Sequence, residues 1–131
     1  VSRGAIRLAV AALGACWPLL AAAQGLPRHE GACATTTIAR LEHRLRSGTD
    51  GAFVQDSGSA VVFANGGYQV SYEELEAIHD ARTGDKVLIC LVRIPHGCPA
   101  GDPRGRWYTT TDLRTMESWT LPDAEHGCGG A

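Results

Sequence analysis

Five histidines, His29, His43, His79, His96 and His126, are the side chains of this 131-residue sequence best suited to proton chemistry near neutral pH. No two of them stand at the i, i+4 spacing that puts a pair of imidazoles on one helical face for zinc. No H-E-x-x-H, G-x-S-x-G or phosphate-binding glycine motif occurs either. The group that could act together is non-local: His96, Asp102, Asp123 and His126, gathered if Cys98 bonds to Cys128. Two imidazoles beside carboxylates could shuttle protons in a small secreted hydrolase, or hold one divalent metal. Nothing beside them identifies a nucleophile or an oxyanion donor, so catalysis is the second expectation, and no cofactor or metal is called for.

The first expectation is binding. Arg104, Arg106, Trp107, Tyr108, Arg114 and Trp119 mix planar cations with aromatics, the residue types enriched where interfaces concentrate their energy. Such a face would suit an envelope protein, a glycan or a peptidoglycan fragment. A purely structural use competes with it, in which Trp107 and Trp119 pair across a hairpin and the arginines cover them. Partial exposure of Trp119 would favour binding.

Where the chain works follows from its start. Arg3 and Arg7 precede an uncharged stretch at 8–20, and Ala21-Ala22-Ala23 offers a signal peptidase its small residues, so 1–23 reads as an export signal cut before Gln24. The apolar part is too short to span a bilayer, which needs about 20 residues. No transmembrane segment is therefore expected in the released chain. Leu13-Gly14-Ala15-Cys16 resembles a lipoprotein box, but Trp17, Pro18 and further apolar residues after Cys16 argue against a lipid anchor there. Removing 23 of 131 residues leaves 108, one domain, and the loss of Arg3 and Arg7 takes the net charge from −2 to −4. An acidic chain without a dense positive face is a poor partner for nucleic acid.

Cleavage also removes Cys16, leaving Cys33, Cys90, Cys98 and Cys128. In an oxidising compartment four cysteines read as two disulfides, and their spacing lacks the close pairs of a zinc site. Three pairings are open. The preferred one joins Cys98 to Cys128, tying a Gly/Pro-rich loop to the tail, and Cys33 to Cys90.

The elements that must position these residues are mostly strands. With 16 Gly and 6 Pro, turns are frequent, while 44% hydrophobic and 20% charged residues describe an ordinary globular chain. The segment 35–46 leans to strand on its β-branched Thr35-Thr36-Thr37, although Ile38, Leu41 and Leu45 fall at helical spacing. Asn65-Gly66 between 60–64 and 67–72 predicts a hairpin with a type I′ turn. Ser71 and Glu74 read as a capping box opening a short helix over 72–82, with Leu75 and Ile78 on its buried side. The apolar run 86–94 predicts a central strand covered on both faces, and HGCPAGDPRGR at 96–106 a loop. Two final strands follow, 107–111 and 118–121.

The fold expected is mainly β, a small single-domain barrel or two-layer sandwich with one short helix, stabilised by disulfides. Its core is expected from Val61, Phe63, Val70, Leu75, Ile78, Val87, Ile89, Leu91 and Trp119. The segments ANGGYQVSY (64–72), GDKVLICLVRIPHGCPAGDPRGR (84–106) and LRTMESWTLPDAEHGCGGA (113–131) resemble a group of small exported bacterial proteins, and that resemblance implies export without implying a catalytic residue or ligand. Periplasmic lysozyme inhibitors offer a second comparison, as small exported β proteins with disulfides. Some carry a Ser-Gly-x-x-Tyr loop, which Ser57-Gly58-Ser59-Ala60-Val61 resembles except that Val61 stands where Tyr belongs.

Overall fold

The computed structural model describes residues 24–130; the segment 1–23 expected to be an export signal, with Cys16, lies outside the described residues. The elements run β1 (Cys33–His43), β2 (Ser59–Phe63), β3 (Tyr68–Val70), α1 (Glu76–His79), β4 (Lys86–Arg93), β5 (Trp107–Asp112) and β6 (Ser118–Pro122), with a 3-10 turn at Cys128–Gly130. The strands form one antiparallel sheet in the order β3-β2-β1-β4-β5-β6, a mainly β fold with a single sheet in place of two packed ones.

Strand β1 makes the curvature. Its first half, Cys33 to Thr37, pairs with β4, and its second half, Ile38 to His43, pairs with β2 across a register shift between Ile38 and Arg40. A bulge of this kind bends a strand and lets it serve two ladders. The sheet consequently coils until β3 and β6, its two margins, come alongside each other. No ladder joins them. Gln69 of β3 does so with its side chain, donating from Nε2 to the carbonyls of Tyr108 (2.7 Å) and Leu121 (3.2 Å). Its Oε1 accepts from Thr110 Oγ1 (2.6 Å) and Trp119 Nε1 (2.9 Å). Every donor and acceptor of this fully buried amide is used, which is the condition for burying it without penalty.

Inside the coil lie Ala34, Ile38, Val61, Phe63, Val87, Ile89, Leu91, Tyr108, Trp119 and Leu121, with Ile78 closing one end. Each large side chain removed from water in this way contributes about 1.5–3 kcal/mol. Of the expected core, Val70 is buried as well and Leu75 packs against the cluster half-buried. Both expected disulfides are formed: Cys33 and Cys90 face each other directly across β1 and β4, and Cys98 holds Cys128.

Three local expectations change. The run at β4 alternates instead of being covered on both faces, leaving Leu88 at 37% and Val92 at 44% exposure on the outer surface. The β2–β3 connection is not a type I′ turn. Gly66 N–H bonds to Phe63 O, and Gly66 alone takes a positive φ (86°), so three residues, Ala64 to Gly66, make a type I turn and a glycine bulge. The helix is one turn, Glu76–His79, and Leu75 at its N-cap makes no side-chain cap. Ser71 Oγ instead accepts from Glu73 N–H, and Glu74 is drawn away by long-range partners.

Candidate functional site

The six binding residues read from the sequence separate in space. Tyr108 and Trp119 point inward, Trp119 at 5% exposure, and belong to the core. Arg114 sits at the β5–β6 tip, where its guanidinium holds the Asp85 carboxylate (2.9 Å) and the Asp80 carbonyl (2.6 Å), and that contact keeps the Asp85 carboxyl below its usual range. Arg104 and Arg106 lie beyond the opposite end of β5. Arg104 forms a two-point pair with Asp102, both contacts 2.8 Å. Only Trp107 of the aromatics remains part-exposed. Its ring lies under the guanidinium of Arg93 (5.2 Å to the centroid), a partner the sequence reading missed because a bulge between Leu91 and Arg93 sets that register.

The catalytic alternative also finds its parts employed. Asp102, besides holding Arg104, accepts from Gly129 N–H (3.0 Å), and the Arg104 contact places its carboxyl far below the usual carboxylate range. Asp123 accepts from the N–H groups of Gly105 (2.7 Å) and Arg106 (3.1 Å). The Cys98–Cys128 bond does join the two loops, with His96 and His126 exposed on them. These carboxylates tie the C-terminal segment to the loop that precedes β5. Among the described residues no cluster of three or more His, Cys, Asp or Glu has the arrangement to hold a metal ion.

A concave surface of ligand size lies elsewhere. At the end of β1, His43 Nδ1 meets Glu74 Oε1 at 2.9 Å, and the other carboxylate oxygen accepts from Ser59 Oγ at 3.2 Å. Ser59 Oγ accepts in turn from Leu75 N–H (3.1 Å), so the first residue of β2 fixes the segment that carries Glu74. The His43 contact, aided by Ser59, holds the Glu74 carboxyl below its ordinary value. Around this pair open two adjoining lobes of about 410 and 470 Å³, both lined by His43, Gln55, Glu74 and His79. Leu41, Phe53 and Ile78 give one lobe an apolar floor, and Asp56 and Glu76 rim the other. Phe53 lies beside the imidazole (6.1 Å between centroids) and beneath the Arg46 guanidinium (3.9 Å).

Sequence reading passed over this constellation because Glu74 reads as a helix cap and His43 as one histidine among five. Ser57 and Ser59 are buried, and Gly58 (φ 106°) backs onto the Ser71 carbonyl, where any Cβ would collide. The segment resembling an inhibitor loop is thus a wall support and does not project. Comparisons with protein-family models, with curated proteins and with solved structures found no match. Smaller depressions of about 360 and 180 Å³ flank Trp107, both lined by Arg93.

Proposed function

We propose that this chain is an exported, disulfide-braced module of the bacterial envelope that acts by binding, and that its ligand occupies the groove around His43 and Glu74. Two formed disulfides accord with an oxidising compartment, and no helix among the described residues is long and apolar enough to cross a membrane. The observation that carries the reading is the groove itself, which has the size of a ligand site, an apolar floor and a few fixed polar groups. Binding is favoured over turnover because the one hydroxyl at the dyad, Ser59 Oγ, is buried and already committed to Glu74 and Leu75. All four cysteines among the described residues are oxidised.

The ligand chemistry follows from the lining. Glu74, shared by the lobe floored by Leu41, Phe53 and Ile78 and the adjoining lobe rimmed by Asp56 and Glu76, favours an ammonium or guanidinium on an apolar stem, as presented by a basic side chain of a protein or a wall peptide. The test is a backbone-amide NMR titration of the oxidised protein with Lys- and Arg-containing peptides and soluble wall-peptide fragments. Shifts are expected at His43, Gln55, Glu74 and His79, with affinity falling about five- to tenfold in Glu74→Gln. Absence of shifts at these positions with every probe would refute the reading. So would a reproducible hydrolytic turnover abolished by His43→Ala.

A further inference from the structure

Gln24 is placed by the sequence as the first residue of the exported chain, and the structure shows what its side chain does there. Its Oε1 accepts the backbone N–H of Thr35 at 2.9 Å, capping a strand donor of β1 that β4 does not use. Among the described residues its Nε2 donates to nothing. The anchored chain begins just downstream, where Leu26 packs on the core beside Phe63 and Gly67 and Pro27 is buried. Gln24 and Gly25 themselves are exposed, with open space around Gly25.

We infer that Gln24, once released by cleavage after Ala23, closes into a five-membered lactam, so that the exported protein starts with pyroglutamate. The inference rests on reading 1–23 as a leader. In the step, the freed α-amine attacks Cδ of the same residue's side-chain amide. The N–Cδ bond forms, the Cδ–Nε2 bond breaks, and Nε2 departs as ammonia with a proton from the amine. No oxidant, reductant or co-reactant is needed. The atoms sort favourably, because the nitrogen that leaves has no partner among the described residues while the oxygen that bonds Thr35 stays on Cδ as the lactam carbonyl. Exposure of Gln24 and the small Gly25 beside it leave room for the amine to turn back on its own side chain. The product keeps the strand cap, loses the terminal positive charge and presents no free amine to an aminopeptidase.

The experiment is intact-mass analysis and amino-terminal sequencing of protein recovered from the periplasm or medium of an expressing bacterium. The expected result is residues 24–131 less one ammonia, refractory to sequencing until a pyroglutamyl peptidase is added. Gln24→Ala should give the same chain length with a reactive amine, and faster hydrogen exchange at Thr35 by about five- to tenfold, as loss of one hydrogen bond implies. A chain beginning at an open Gln24 would overturn the lactam while leaving the leader intact as a reading. A chain still carrying residues 1–23 would overturn both.

Discussion

Trp119 donates its indole N–H to Gln69 Oε1 at 2.9 Å, linking the two strands that border the sheet, β3 and β6, through its interior. The same amide serves three further partners on β5 and β6. Gln69→Leu keeps much of the volume but strands the Trp119 N–H and the Thr110 hydroxyl, and it removes a second donor from the Tyr108 and Leu121 carbonyls, which oppose each other in the β5–β6 ladder. At about 1–3 kcal/mol for each of the two buried groups left unsatisfied, a loss of at least about 2 kcal/mol is expected. Urea denaturation followed by near-ultraviolet circular dichroism checks it; a loss under about 1 kcal/mol would mean the margins hold together without the amide.

The disulfides should separate in their local effects. Loop-closure entropy assigns about 4 kcal/mol to each, for cross-links spanning 57 and 30 positions. Replacing Cys98 and Cys128 by Ser should cost up to that amount and raise hydrogen exchange first at 127–130, where Gly129 relies on Asp102. Replacing Cys33 and Cys90 should instead raise exchange along β1 and β4. Exchange mapped by mass spectrometry distinguishes the two patterns.

Among residues 24–131 the tryptophans are Trp107 and Trp119, and they differ sharply in access. Acrylamide should quench Trp107 and spare Trp119, which is 5% exposed. Trp107→Phe should therefore abolish most of the quenchable emission, whereas Trp119→Phe should keep it and destabilise the fold. Equal quenching of both indoles in the native protein would contradict the inward placement of Trp119.

Acid should weaken the groove. Because the Glu74 carboxyl is depressed in the folded state by His43, its contribution is present above the unfolded carboxyl range near 4.3 and disappears as pH falls through the lowered folded value. The wild-type melting temperature should thus drop more between pH 6 and about 3 than that of Glu74→Gln. Glu74 is 43% exposed at its side chain, so the difference will be a degree or two in a domain of this size. Identical acid slopes in the two proteins would show the His43 contact to be idle.

Much of the fold was legible because it is written locally. Period-two burial in β5, with Tyr108, Thr110 and Asp112 inside and Trp107, Thr109 and Thr111 facing out, follows from alternation alone. That alternation alone divides Trp107 from Tyr108. The groove was not legible, since His43, Ser59 and Glu74 are brought together by pairing between β1 and β2 and by the path of the chain after β3. A capping box and a His–Glu contact draw on the same carboxylate, and tertiary partners won it. Gln69 was equally hidden, because a polar residue in a three-residue strand gives no sign of inward direction until the sheet has coiled.

Among the described residues the cysteines bond in the order in which they occur, 33 with 90 and 98 with 128. A chain that threads amino-end first into an oxidising space therefore meets each thiol's proper mate as the next thiol of the folded domain to arrive. Joining neighbours in order of emergence, as a simple donor of oxidising equivalents does, already produces the native connectivity. On the proposal that the chain is exported and released from 1–23, its maturation should proceed without a shuffling isomerase.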